Sequence, residues 1–294
     1  MFSGSLVALI TPFNADGEID EAALRRLVDW HIEQGSHGLV PVGTTGESPT
    51  LSAAEHRSAI DIVVAQCGRR LPVIAGAGSN NPREAIEFSR HAAAGGGSGA
   101  DATLHVAGYY NRPQQEGLYR HFRAVHDASS LPIIVYNVPP RTIVDIQPDT
   151  LARLAELPRI VGIKDASCDL SRPGRERLRI AGDFCWLSGE DATAVAYNAA
   201  GGRGCISVTA NVAPALCAAM QAACQRGDYP TAMAIQQRLM PLHEALFAEP
   251  SPAGAKYAAS LLGLCGEHCR LPVVPLSDGT RQRIAAAMGE LGLI

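Results

Sequence analysis

Short, mostly apolar runs recur along the chain at residues 6–10, 38–42, 72–75, 102–106, 132–136, 160–163, 185–187 and 204–208. Each has the length of a buried strand and is bounded by turn-forming residues. Between them, residues 21–34, 53–66, 82–94, 117–128 and 148–156 space their apolar side chains as a helix does. Many of these segments open on Asp, Ser, Asn or Pro, the residues that cap or start helices. Continuously apolar strands alternating with helices predict an α/β protein whose parallel sheet is covered by helices. Eight such units in about 225 residues predict a closed (β/α)8 TIM barrel, with an open doubly wound sheet as the alternative.

After Asn211 the strand pattern stops, and residues 214–226, 229–247, 252–262 and 278–291 read as helices separated by Pro and Gly. The division this predicts is a catalytic barrel over 1–226 and a C-terminal helical domain over 227–294. No internal repeat stands out. The one low-complexity stretch, residues 92–99, reads as a flexible connection into the fourth strand.

Composition narrows the function classes. The chain has 294 residues, 47% hydrophobic and 18% charged, with a formal net charge of -4. That is an ordinary globular balance without the basic excess that holds nucleic acid. The apolar run over residues 5–12 is too short to span a membrane and lacks the flanks of a signal peptide, so a cytoplasmic location is expected. The eight cysteines are scattered and imply no disulfide framework. Cys265, His268 and Cys269 cluster, but no second Cys/His pair lies nearby to complete a zinc site, so no metal is expected.

In a barrel of this kind, reactive groups come from the C-terminal ends of the strands. Those ends are rich here: Gly43-Thr44-Thr45-Gly46-Glu47, Tyr109-Tyr110-Asn111-Arg112, Tyr136 to Arg141, Lys164 and Ser188-Gly189-Glu190-Asp191. Lys164 stands out because the chain has only two lysines, Lys164 and Lys256, leaving 23 of its 25 Lys and Arg residues as arginine. Where a positive charge suffices this chain uses arginine. A lysine at the end of an apolar strand points to a task for an amine, which can lose its proton and attack a carbonyl as a guanidinium cannot. The plainer reading is a solvated strand-end lysine.

The other strand ends have plain readings too. Gly43 to Gly46 offers backbone N–H groups and two hydroxyls suited to a small carboxylate, or simply makes a tight turn. Tyr136 follows an apolar run, so its hydroxyl is placed to shuttle protons at the barrel rim, or it is a core tyrosine. Arg141, beyond a Pro-Pro turn, can grip a carboxylate through two hydrogen bonds, or is a surface arginine.

These motifs together, with Leu187-Ser-Gly-Glu-Asp191, Ile206-Ser-Val-Thr-Ala-Asn211 and Arg238-Leu-Met-Pro-Leu242, give the chain a nearly end-to-end resemblance to the 4-hydroxy-tetrahydrodipicolinate synthase (dihydrodipicolinate synthase) family. The resemblance implies a lyase that condenses pyruvate with L-aspartate 4-semialdehyde on the diaminopimelate route to lysine. It also implies no cofactor and a homotetramer as assembly. Carried over by position, Lys164 is the Schiff-base lysine, and Tyr136, Thr44 and Tyr110 form a proton relay in which Tyr110 reaches into a neighbouring subunit's site. Thr45 and the backbone of Ile206 hold pyruvate, Gly189 is a further substrate-binding position, and Arg141 binds the carboxylate of the semialdehyde. A lysine effector site is implied at Ser48, His56, Asn80, Glu84 and Tyr109, with Ala53 where lysine-sensitive relatives often carry histidine.

Two departures from the family pattern bear on these expectations. Ala107-Gly108 replaces the usual Thr-Pro and is expected to loosen the turn that aims Tyr110. Residues 95–99 are longer than is usual. The alternatives left open are a sister pyruvate lyase acting on a sugar acid, such as an N-acetylneuraminate lyase, and a catalytically silent ligand-binding barrel.

Overall fold

The computed structural model of the chain describes residues 2–294. Eight parallel strands, β1 (Gly4–Ala8), β2 (Gly38–Val40), β3 (Ile74–Gly76), β4 (Ala102–Val106), β5 (Ile133–Asn137), β6 (Ile160–Asp165), β7 (Cys185–Ser188) and β8 (Gly204–Ser207), form one sheet in the order β2-β1-β8-β7-β6-β5-β4-β3. A parallel bridge between Leu39 and Val73 joins its two edges and closes the barrel, which sets the open-sheet alternative aside.

Helices α1 (Glu21–Glu33), α2 (Ala53–Cys67), α3 (Pro82–Ala92) and α4 (Gln115–Ala128) follow the first four strands. Their starts are written in the sequence. Asp20 and Asn81 accept backbone N–H bonds at the N-caps of α1 and α3, and Ser52 with Glu55 makes a reciprocal capping box on α2, worth about 1 kcal/mol. The second half of the barrel carries shorter helices: α5 (Pro139–Thr142), α6 (Pro148–Ala155), α7 (Arg172–Arg177) and α8 (Ala194–Ala199). Of these only α6 is legible from periodicity. The last four, α9 (Pro214–Gln225), α10 (Tyr229–Leu246), α11 (Ala253–Leu261) and α12 (Asp278–Glu290), follow the strands without interruption. Leu239, Leu242, Leu246, Ala258, Ile284 and Met288 of this terminal group belong to the same buried apolar cluster as Leu6, Ile60 and Ile74 of the barrel. No helix among the described residues is long and apolar enough to cross a membrane.

The glycine-rich stretch before β4 differs from expectation. Gly95–Gly97 forms a short 3-10 turn packed on α2, where the Asp61 carboxylate accepts from the Gly96 N–H at 2.9 Å and pairs with His91 Nε2 at 2.8 Å. Gly96 has φ +60°, and a Cβ on it would press to 2.7 Å from the Asp61 carbonyl oxygen. Glycine is required here for close packing, so the low complexity marks a docked turn rather than a loose loop.

Candidate active site

The alternation that builds the barrel also fixes which residues meet at its C-terminal rim. Strands β5 and β6 pair with Tyr136 opposite Lys164 and Asn137 opposite Asp165. Lys164 is 7% exposed, and its Nζ lies 4.3 Å from the centroid of the Tyr136 ring. The electron-rich face of the tyrosine therefore braces the amine, and the barrel wall limits where it points. On the other side of β6, Lys164 is opposite Leu187 of β7, and a Cβ at Gly189 would stand 3.1 Å from Lys164 Cε. Gly189 thus leaves the room beside the lysine that a larger residue would fill. Ile206 is buried in β8 in register with Leu6, at the far side of β7.

Thr44 and Thr45 lie in a tight loop after β2 whose two ends have left-handed backbone, Val42 with φ 48° and Glu47 with φ 57°. Neither residue type takes that conformation readily, and for the β-branched Val42 it is a true outlier. The loop persists because it is held from several sides. The Gly46 N–H donates to the Gly43 carbonyl at 3.1 Å, the Glu47 N–H to the Thr44 carbonyl at 3.1 Å, and the Thr11 hydroxyl to the Gly46 carbonyl at 2.7 Å. Thr45 is buried, and Thr44 is partly open.

Tyr110 and Arg141 are placed differently. Tyr110 has φ 67° and is 95% exposed, so its ring projects away from its own barrel. The turn that carries it is packed and hydrogen-bonded. A Cβ at Gly108 would stand 2.9 Å from Pro113 Cγ, and Asn80 donates to the Tyr109 carbonyl at 3.3 Å while Asn111 donates to the Asn80 carbonyl at 3.2 Å. Pro113 packs into the space that a larger residue at 108 would occupy. Arg141 is exposed on α5, a helix of one turn started by Pro139 and ended by Ile143 with φ 59°.

Of the residues implied for an effector, Asn80 and Tyr109 are joined by the hydrogen bond above. Glu84, in the first turn of α3, accepts from the Ser79 hydroxyl at 2.5 Å. His56 stacks on Phe88 of the same helix, with centroids 3.8 Å apart, and burial pushes its pKa down to about 4. Ser48 begins the 3-10 turn that follows Glu47, and Ala53 opens α2.

Sequence reasoning passed over a buried charge network directly behind the rim. Arg172 on α7 is 2.8 Å from Asp145, 3.5 Å from Asp165 and 3.2 Å from Glu176. Asp145 in turn accepts from Asn137 at 2.7 Å, so the residues that follow Tyr136 and Lys164 are tied through one guanidinium. One cation among three carboxylates compensates none of them fully. Burial raises the Asp165 carboxyl above its ordinary range despite Arg172, and raises Glu176 to about 7. The Arg-x-x-x-Glu spacing after the lysine strand was the available signal, since it puts Arg172 and Glu176 on one helical face. A second missed group is Asp191, whose carboxylate accepts from the Ser207 hydroxyl and from the N–H groups of Val208 at 2.8 Å and Thr209 at 3.1 Å, joining the ends of β7 and β8.

Chemically, the rim offers a nearly buried primary amine, a tyrosine beside it, hydroxyl and backbone donors on a strained loop, and an arginine at the edge. Among the described residues no group of three or more His, Cys, Asp or Glu side chains is arranged to hold a metal.

Comparison with known proteins shows the family. The model of the dihydrodipicolinate synthetase family matches residues 1–291. A 4-hydroxy-tetrahydrodipicolinate synthase of Acidiphilium cryptum is 58% identical over 294 residues, covering all of both chains. Among solved structures, the chloride-inhibited dihydrodipicolinate synthase of Acinetobacter baumannii complexed with pyruvate superposes with a TM-score of 0.96 at 43% identity, covering 100% of both chains. The enzyme of Cyanidioschyzon merolae with lysine bound gives 0.95 at 37% identity, covering 100% of this chain and 99% of that one. With a full-length match in sequence, and in fold down to the closed eight-stranded barrel, the chain is a lyase-family barrel and belongs to the dihydrodipicolinate synthetase family.

Proposed function

We propose that the chain condenses pyruvate with L-aspartate 4-semialdehyde through an imine on Lys164, giving 4-hydroxy-tetrahydrodipicolinate for lysine synthesis by the diaminopimelate route. The observation that carries this reading is the buried amine of Lys164 held against the Tyr136 ring at the C-terminal rim of the barrel. The Lys164 amine attacks the pyruvate keto carbon, and water leaves. The protonated imine then draws electrons from the pyruvate methyl group, which gives up a proton to form an enamine. The enamine carbon attacks the aldehyde carbon of the second substrate, and the new alkoxide takes a proton; the amino group of that substrate then attacks the imine carbon, closing the ring as the bond to Lys164 breaks and the free amine is restored.

In this reading Tyr136 and Thr44 of one subunit, with Tyr110 of a neighbour, carry protons between these steps. Thr45, Gly189 and the Ile206 backbone hold pyruvate, and Arg141 holds the carboxylate of the semialdehyde. The exposure of Tyr110 supports a role outside its own barrel. The same reading makes the assembly a cytoplasmic homotetramer, takes residues 1–226 as the catalytic barrel and takes 227–294 as the helical region on its flank. It also gives lysine a feedback site at Ser48, His56, Asn80, Glu84 and Tyr109.

Treatment with pyruvate and borohydride, peptide mapping, and a turnover assay with aspartate semialdehyde test the proposal together. A pyruvyl group on Lys164 and turnover of the semialdehyde are expected. An adduct without turnover would remove the assigned second substrate and favour a sister lyase. Light scattering tests the assembly, with four subunits expected and a monomer overturning the shared proton relay.

A further inference from the structure

The second lysine of the chain, Lys256, does work that the proposed reaction leaves unassigned. It lies on α11 and is 0% exposed, as deep as any apolar core residue. Its Nζ is 2.5 Å from Glu47 Oε1 and 2.7 Å from the His268 carbonyl oxygen, and it lies 3.9 Å from the centroid of the Phe13 ring. The other oxygen of Glu47 accepts from the Arg270 N–H at 2.9 Å. Arg270 continues the chain of contacts. Its guanidinium lies 4.4 Å from the centroid of the same Phe13 ring, pairs with Glu55 at the start of α2, and donates to the carbonyls of Gly17 and Thr50.

Three features make this more than a buried ion pair. First, Glu47 is the C-terminal end of the strained loop that carries Thr44 and Thr45, and it is itself in the left-handed region. A residue in that region needs its surroundings to hold it there. Second, the partner comes from the C-terminal helices, about two hundred residues away in sequence, so the loop is anchored to a separate part of the structure. Third, a chain that otherwise uses arginine for nearly every cation keeps lysine here. The contacts around its Nζ, Glu47 Oε1, the His268 carbonyl oxygen and the face of Phe13, suit the three donors of a compact ammonium better than the five of a planar guanidinium.

We infer that Glu47 and Lys256 are positioning residues for the reaction: their buried pair clamps the Val42–Glu47 loop in its strained shape and so holds Thr44 and Thr45 toward pyruvate. The inference rests on the roles proposed above for those two threonines. Neither Glu47 nor Lys256 touches substrate in this account. They act through the backbone, and the C-terminal helices become part of the catalytic apparatus through one carboxylate.

The test is a double-mutant cycle on Glu47→Gln and Lys256→Met, assayed well below the melting temperature. Removing one member leaves the other buried without its partner, so the double variant should fold better than Lys256→Met alone. The double variant is expected to raise the KM for pyruvate and lower kcat by about tenfold each, the effect of a small displacement of positioning groups. The KM for aspartate semialdehyde should be unchanged, and Lys164 should still be labelled by pyruvate and borohydride. A merely structural pair would lower the melting temperature without splitting the two KM values. Wild-type kcat and pyruvate KM in the folded double variant overturn the inference. If that variant does not fold, Glu47→Gln alone carries the same measurement, because it keeps the shape and one acceptor. Thr44→Val and Thr45→Ala separate the two levels. If these leave catalysis intact, the reading of the loop fails. If they cripple it while the Glu47 and Lys256 variants do not, the clamp fails.

Discussion

Tyr136 and Lys164 are opposite residues of two adjacent parallel strands, and the amine of one lies 4.3 Å from the ring centroid of the other. Their relation is set by sheet register, so it survives any side-chain change that leaves β5 and β6 paired. The chemistry can then be altered one atom at a time.

Lys164→Arg is expected to abolish the borohydride-trapped pyruvyl adduct while the fold survives, since the charge stays and the nucleophilic amine goes. Mass mapping of the treated protein checks it. An adduct on Lys256 would place the reactive amine elsewhere, although that side chain is wholly buried.

Tyr136→Phe keeps the ring against Lys164 and removes only the hydroxyl. Turnover should fall by roughly 10²- to 10⁴-fold, the size of a lost proton-transfer group, while pyruvate still binds. Near-normal turnover would make Tyr136 a packing residue.

Arg141→Ala should raise the KM for aspartate semialdehyde and leave imine trapping with pyruvate close to wild type, because Arg141 is exposed while Lys164 is nearly buried. Equal losses for both substrates would assign it to the stability of α5 instead.

Lysine should inhibit, but at roughly three- to tenfold higher concentration than in relatives with histidine in place of Ala53, since one lost polar contact costs about 0.5 to 1.5 kcal/mol. Titration of lysine into the assay measures this. Sensitivity unchanged by Glu84→Ala would rule out the pocket around Asn80 and Tyr109.

Glu176 gives a pH prediction. Unfolded, its carboxyl loses its proton near the ordinary value of 4.5; folded, burial holds the proton to about 7. Between those values the folded state binds more protons than the unfolded one, so stability falls as pH rises through that window. The loss is on the order of 3 kcal/mol for a shift of this size. Glu176→Gln keeps an acceptor for Trp186 Nε1, which donates to Glu176 at 3.0 Å in the native protein, and removes the titration. Denaturant melts at several pH values should show a flatter profile for the variant between pH 5 and 7; an unchanged slope would assign the titration to another group.

The sequence made most of the barrel legible because a buried parallel strand must be apolar on both faces, and because capping residues such as Asp20, Ser52 and Asn81 mark helix starts. The helices α5, α7 and α8 escaped, being too short to show a period. Residues 92–99 misled because low complexity signals freedom only when nothing packs on the glycines, and here Asp61 does. The rim positions could be found from strand ends, but the restraints behind them could not. The φ of Val42, the sharing of Arg172 among three carboxylates, and the reach of Lys256 to Glu47 all depend on contacts between segments far apart in the chain.

The scarcity of lysine has a practical side. With both of its ε-amines buried, this protein presents its positive charge to solvent as guanidinium. Acylating reagents that decorate the surfaces of most proteins should find little to modify along the folded chain, and a protease specific for lysine should find no open cleavage point until the barrel unfolds. Cleavage after Lys256 then reports opening around α11, and cleavage after Lys164 reports opening around β6, so two bands on a gel show which of the two buried sites opens first.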